Sequence, residues 1–285
     1  MYNKPYLIKR ITVVFVVFNF CSHLNAQDYK LDKVTLEDVE NNIYSKDTSA
    51  YAVILYKSRQ TYFETNKQGE WEVITKISKR VKILKKEGLK YCIEKIRLNK
   101  TREKRESING IKVSVYNIKR GKLQRNKLKK ENIIKAEISK DCIEVILKAP
   151  EIKAGSIVDF KYKIISPFYK ISDLAIQENI PIKKYLANIK IPSCFIYNRL
   201  IIGTPKLMAK ESERFIDFRT LSTKKHFEKV AGGGLRKVIK DSILQIKEHE
   251  TRYKLMDVPA FTKRELDDKK YRFRIIYKFI SANFQ

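Results

Sequence analysis

The fold class that the sequence predicts is mainly β: an antiparallel β-sandwich, immunoglobulin-like or larger, with a short N-terminal helix and few other helices. Three observations carry that prediction. Apolar and β-branched runs recur at roughly 8 to 20 residues with turn signals between them, the spacing of short strands in a sandwich. Aromatic residues are plentiful (16 Tyr and 14 Phe), whereas 285 residues hold only 9 Gly and 7 Pro. Finally, 43% hydrophobic residues supply a real core despite 33% charged residues, which excludes a disordered chain.

The chain opens on a segment of a different kind. Lys4, Lys9 and Arg10 make a positive start, Ile11–Phe20 is an uncharged apolar run, and Leu24-Asn25-Ala26 ends on a small residue. That order belongs to a cleavable export signal, and the run is about half of the ~20 residues that span a bilayer as a helix. Residues 1–26 are therefore expected to be removed, leaving no transmembrane span. A lipid-anchored start at Cys21 is the weaker reading, because Asn19 and Phe20 stand where small residues are wanted.

Residues 27–50 form an arm. In it Thr35 precedes Leu36-Glu37-Asp38-Val39-Glu40. A threonine hydroxyl can accept a backbone N–H at a helix start, and the acidic residues suit the positive end of the dipole. A short helix over Thr35–Asn42 is expected, broken at Asp47-Thr48-Ser49.

From Tyr51 onward the pattern is strands. Tyr51–Ser58 is a dense apolar run, and Thr61–Thr65 and Trp71–Leu84 flank the turn Asn66-Lys67-Gln68-Gly69, where Gly makes positive φ cheap. Val73, Thr75, Ile77 and Lys79 alternate with Ile74, Lys76, Ser78 and Arg80, the period of two of a half-exposed strand. Further runs are Cys92–Leu98, Ile111–Ile118, Cys142–Leu147, Ile157–Ile165 and Leu174–Ile176, then Leu186–Ile191, Phe195–Ile202, Phe215–Phe218 and Tyr271–Ile280. Lys119-Arg120-Gly121 before Lys122-Leu123 is a hairpin signal. Two further helices are expected, at Lys127–Ile134 and within Leu235–Lys247. Ala231-Gly232-Gly233-Gly234 is a flexible break. It divides a sandwich domain over 51–230 from C-terminal strands over 231–285, which complete the sandwich or lead to a further domain.

The net charge is +29, and loss of the three signal cations takes it to +26. Such a chain suits polyanions; outside the cytoplasm these are anionic glycans and lipids, with nucleic acid a poorer expectation. The lysines are spread along the chain, which also fits a plain compositional bias. The densest basic stretch is Lys119–Lys130. On a strand, Tyr271, Phe273, Ile275, Tyr277 and Phe279 share one face, a core face rather than a base-stacking platform.

Three cysteines follow the signal: Cys92, Cys142 and Cys194. Cys92 and Cys142 both open predicted strands and could pair in an oxidising compartment; the competing reading makes all three small buried apolar residues.

Lys33–Val39, Tyr44-Ser45-Lys46-Asp47 and Ser49–Tyr56 together resemble the opening of a family called domain of unknown function 3857. Val81–Gly88, Ala149–Tyr162, Ser166-Pro167, Pro181-Ile182, Ile191-Pro192 and Asp257–Phe261 with Glu265 continue the resemblance in the right order. The resemblance implies an exported envelope β-sandwich that usually precedes a transglutaminase-like domain. It implies, too, that this chain is the N-terminal half of such an architecture, with the transglutaminase-like part absent.

Transglutaminase-like chemistry uses Cys, His and Asp in that order, with His as base for the thiolate. Cys194, His226 and Asp241 have the order but not the setting: Cys194 lies in a loop running into a strand, and Lys224–Lys229 reads as solvated. A reactive thiol wants a helix N-terminus or a positive pocket. For metal, only His226 and His249 follow the signal, without Cys-x-x-Cys or His-x-x-x-His spacing; Glu248 and Glu250 beside His249 could hold an ion weakly, but such a run is usually a solvated face. Gly232-Gly233-Gly234 is followed by Arg236-Lys237-Val238, which is not a phosphate loop. Glu211/Glu213 and Asp267/Asp268 are neighbours in sequence alone, which sets no glycosidase geometry. The expectation is thus no catalytic, cofactor or metal residue, and a binding or scaffolding module in the periplasm or cell envelope. Its partner would be a transglutaminase-like domain, an envelope protein, or an anionic glycan or lipid. The alternatives are a piece of an acyl-transfer or peptidase-like enzyme and a purely charge-driven polymer binder.

Overall fold

The computed structural model describes residues 31–203, 209–221, 226–229, 233, 235–238, 241–261, 268 and 272–283, with 218–221, 226–229, 235–238 and 241–244 described by backbone only. The predicted export signal lies outside these residues. Among the described residues strands predominate and helices are few, in several antiparallel sheets, as the sequence predicts.

After helix α1 (Leu36–Glu40) come β1 (Ala52–Thr65), β2 (Trp71–Ile83), β3 (Ile93–Asn99), β4 (Ser107–Lys119), β5 (Lys122–Lys127), β6 (Ile133–Ser139), β7 (Cys142–Lys148) and β8 (Ile157–Ser166). Then follow β9 (Leu174–Ala175), β10 (Ile182–Pro192), β11 (Phe195–Ile202), β12 (Ala209–Leu221), β13 (His226–Lys229), β14 (Leu235–Val238), β15 (Asp241–Val258) and β16 (Arg274–Ala282). An eight-stranded sheet runs β12-β15-β10-β1-β2-β8-β4-β5, with β1 and β10 parallel and every other pair antiparallel. Two three-stranded sheets, β11-β16-β9 and β3-β7-β6, and the hairpin β13-β14 complete the described strands.

The turns form where the local chemistry asks for them. Asn66 Oδ1 accepts from the backbone N–H groups of Gln68 (3.0 Å) and Glu70 (2.9 Å), closing the β1–β2 hairpin. Arg120 (φ 52°) and Gly121 (φ 71°) make the two-residue turn between β4 and β5, with both central residues left-handed.

Alternation along the strands makes two unlike faces. Val73, Val81 and Ile83 of β2, Val158 and Phe160 of β8 and Tyr185 of β10 point inward. They pack in one cluster with Ile96, Val145 and Leu147 of the β3-β7-β6 sheet and with Leu174, Phe195 and Ile275 of the β11-β16-β9 sheet. The two small sheets are thus the second layer of a sandwich. On the outer face the arm roofs one end, where Val34 and Val39 meet Ile157, with Leu55, Tyr116 and Ile118 alongside. Thr35 caps α1 as expected, its hydroxyl accepting from Asp38 N at 3.1 Å while Asp38 accepts from Thr35 N at 2.8 Å.

Several elements differ from the expectations. Tyr51–Ser58 and Thr61–Thr65 belong to one continuous strand, β1. The helix expected within Leu235–Lys247 is instead β14 and the start of β15, and β15 lies between β10 and β12 in the large sheet. The Lys127–Ile134 helix shrinks to a 3₁₀ turn at Lys130–Asn132, because Ile133 already pairs with Leu147. Cys92 and Cys142 flank opposite ends of the β3–β7 pair, Asn99 facing Cys142 while Ile93 faces Lys148. Seven residues of strand put about 20 Å between them, far beyond disulfide reach, and all three described cysteines are free.

Candidate functional site

Two polar constellations lie on the inward side of the large sheet. The first is a solvent-open cleft of about 430 Å³ where β12 and β15 face β11 and β16. Cross-strand register builds it: Glu213 faces His249 and Glu211 faces Thr251. His249 Nδ1 stands 2.9 Å from Glu213 Oε1, and Lys247 is ion-paired with the same carboxylate. The Lys247 hydrogen bond, with the ammonium charge behind it, lowers the Glu213 pKa. From β11, Arg199 Nη1 reaches Glu211 Oε1 at 2.5 Å and the Tyr253 hydroxyl at 3.4 Å. That hydroxyl shares a 2.6 Å hydrogen bond with Tyr277, whose pKa burial pushes up.

This cleft corrects one expectation about His249. Glu248 and Glu250 flank it in sequence but point to the opposite face, where Arg214 and Arg252 hold them at 2.7 and 2.8 Å. A strand turns neighbours apart, so the acidic residue that reaches His249 is Glu213, from the next strand. The pair Glu211/Glu213, close in sequence, does share the cleft face. No group of His, Cys, Asp and Glu among the described residues is arranged to hold a metal ion. Ser212, next to Glu213, donates to Glu250 at 3.4 Å. The cleft therefore holds an oriented imidazole and two ion-paired carboxylates, a setting that binds polar groups.

Cys194, His226 and Asp241 are not brought together along the backbone. Ser193 N donates to Lys247 O, which places Cys194 beside that point of β15. Asp241 lies six residues farther along the same strand, about 20 Å away, opposite Leu221. His226 pairs with Val238 in the separate hairpin. Cys194 is half-buried and burial raises its thiol pKa, the reverse of activation. Of the Gly232–Gly234 run only Gly233 is described, and Asp267 lies outside the described residues.

The second constellation was not singled out by the sequence. Lys57 and Lys79 are directly opposed on β1 and β2, and both point into the core. Glu178 accepts from Lys57 at 2.7 Å, and Lys79 is paired with Glu94, which also accepts from the Tyr162 hydroxyl at 3.0 Å. Burial alone would raise the Glu178 carboxyl, but Lys57 and Lys79 overcome that and hold it at about 2. Farther in, Arg59 Nε donates to Thr61 Oγ1 (3.2 Å) and Nη1 to Asp173 O (3.1 Å), while Nη2 has no hydrogen-bond partner among the described residues. A cavity of about 280 Å³ lined by Lys79, Tyr91, Glu94 and Glu178 opens off this seam. The signal was present: Lys57 and Arg59 are in phase with Phe63, and Lys79 with Val73 and Val81, all on the core face.

No family model matches the chain, and no curated protein matches it. Among solved structures, the crystal structure of a "putative protease" from Parabacteroides distasonis is similar, with a TM-score of 0.53 at 14% identity over 80% of this chain. The chain spans 40% of the length of that protein. At this identity the likeness shows the fold, a mainly β sandwich, and no more.

Proposed function

We propose that the chain is a non-catalytic binding or scaffolding module exported to a bacterial cell envelope, a member of the domain of unknown function 3857 family and the N-terminal half of a transglutaminase-like architecture. One observation carries this reading: the fold recurs over four-fifths of this chain as only 40% of a longer solved protein. A sandwich that forms part of a larger chain positions other groups. The export signal at residues 1–26 and the ordered motifs from Lys33 to Phe261 support the same reading.

The test has two arms. N-terminal sequencing of the protein from the envelope fraction should begin at Gln27; intact protein confined to the cytoplasm overturns export. Purified Gln27–Gln285 should neither incorporate amines into casein nor hydrolyse it. Turnover that Cys194→Ala abolishes would sink the non-catalytic reading.

The neighbour's description as a "putative protease" favours a second reading, in which the chain is a piece of an acyl-transfer or peptidase-like enzyme. The coding sequence beyond codon 285 separates the two. A downstream domain with Cys, His and Asp in order favours the enzyme, and a stop favours the stand-alone module.

A further inference from the structure

The two small sheets that cover the inner face of the large sheet are separate from each other. Where they part, β3 and the stretch after β9 leave the cavity of about 280 Å³. Ile54 of β1 and Lys79 and Val81 of β2 line it from the large sheet. Residues 90–95 line it from one side, and Glu178 and Ile180 from the other.

Stability does not account for the charges around this cavity. Lys57 is paired with Glu178 and Lys79 with Glu94, all four side chains well shielded from solvent. A buried ion pair stabilises a fold no better than apolar side chains of similar size. Ionisable groups shifted far from their ordinary behaviour around a concave site are instead a mark of binding. Glu178, held at about 2, is such a group.

The charges that remain set the sign of the ligand. Glu94 accepts on both oxygens, from Lys79 and from the Tyr162 hydroxyl, and Glu178 is outweighed by Lys57 and Lys79. These two pairs cancel. Lys90 and Lys95 then add two positive charges; both are exposed, and neither is ion-paired with a described residue. The Lys90 ammonium lies over the Tyr91 ring, 5.3 Å from its centre. Beside this surplus stand the apolar side chains of Ile54, Val81, Ile93 and Ile180.

We propose that this cavity binds a short aliphatic dicarboxylate, whose two carboxylates neutralise Lys90 and Lys95 and whose methylenes pack on the isoleucines. The volume suits a small ligand, since common small-molecule sites run from roughly 300 to 1,000 Å³. A phosphate group fits less well. Phosphates favour a guanidinium fork or the backbone N–H groups of a helix start. Here the cations among the described lining residues are all lysines, and the 3₁₀ segment Lys86–Cys92 meets the cavity with its last residues. A diamine would meet the wrong sign. The inference goes beyond the module reading, which names no small molecule, and it holds whether or not a catalytic domain follows.

The test is calorimetric titration of Gln27–Gln285 with sodium adipate, adipamide, 1,6-diaminohexane and sodium phosphate, at about 0.15 M salt. Two variants lose equal charge: Lys90→Gln/Lys95→Gln at the cavity, and Lys119→Gln/Lys122→Gln at the β4–β5 turn. All four lysines are exposed, so both variants should melt like the parent. Adipate should bind with a Kd of about 1 mM or tighter. Adipamide and the diamine should not bind, and phosphate should bind at least about tenfold more weakly than adipate. The cavity variant should lose about tenfold or more in adipate affinity, and the turn variant should stay within about twofold of the parent. Equal losses in the two variants overturn the site. Absence of adipate binding, equal binding of adipamide or the diamine, or phosphate binding as tight as adipate overturns the ligand. Each of these results leaves the export and turnover tests of the module reading untouched.

Discussion

Arg80 and Asp159 stand directly opposite each other on β2 and β8, joined by hydrogen bonds of 2.7 Å from Nε and 2.9 Å from Nη2. Each side chain is 10% exposed, and Nη2 donates as well to Asp32 O at 2.8 Å, which ties the arm to the sheet. Removing one partner leaves the other charge buried and alone. Asp159→Ala should lower stability by about 3 kcal/mol, measured by urea denaturation. Arg80→Met combined with Asp159→Leu should recover most of that loss, because a buried ion pair can be replaced by apolar groups at little net cost. Strict additivity of the two single losses would show that the pair is not coupled.

Glu178 makes the core seam sensitive to acid. Its folded pKa of about 2 lies below the ordinary carboxylate value. The stability it contributes is present above about pH 4.5 and fades as pH falls toward 2. Glu178→Gln leaves Lys57 facing Lys79 with a neutral group between them, and should cost about 3 kcal/mol at neutral pH. Between pH 4.5 and 2 the variant should lose less further stability than the parent. A variant that tracks the parent through this range would assign the acid response to other carboxylates.

Lys82 behaves in the opposite sense. It is 2% exposed, and its ammonium donates to Val39 O at 2.6 Å and Gly155 O at 2.8 Å, with no carboxylate bonded to it among the described residues. Burial pulls its pKa down to about 8, against a weaker upward pull from Asp38. The unfolded chain then binds more protons than the folded one above pH 8, so Lys82 makes stability rise from about pH 8 toward 10. Lys82→Met should remove that rise. At pH 7 it should also cost about 1–3 kcal/mol by leaving two carbonyls unpaired where the helix meets the sheet. Stability curves of the two proteins that run parallel from pH 7 to 10 would contradict this role.

Much of this fold was legible because strands write their pattern locally. The period of two in Val73–Arg80, the Thr35 cap and the Arg120-Gly121 turn each depend on a few adjacent residues, and each stands where the sequence put it. β15 was not legible. Its stretch Asp241–Lys247 carries no clean alternation, and it is held as a strand by pairing with β12 at Phe215–Leu221, a relation between distant segments. The sites failed for the same reason. His249 was weighed against its sequence neighbours, whereas its partner comes from the facing strand. The buried seam joins residues from five separate segments, β1, β2, β3, β8 and the stretch that carries Asp173 and Glu178, and only the phase of Lys57, Arg59 and Lys79 with their apolar neighbours hinted at it.

The thiols offer a direct check on the β3–β7 register. Cys92 is fully buried, and burial raises its pKa to about 12 against a pull from Lys79. At pH 8 about one such thiol in 10⁴ is ionised, and the surrounding core keeps reagents out. Cys142 and Cys194 are half-buried and within reach of solvent. Brief iodoacetamide treatment of native Gln27–Gln285 should therefore label Cys142 and Cys194, and labelling in urea should add Cys92. Peptide mass spectrometry distinguishes the three. If Cys92 and Cys142 were instead joined, neither would label in urea until reductant was added. That outcome would require them to be neighbours, and so would break the pairing of Asn99 with Cys142 that sets the second layer of the sandwich.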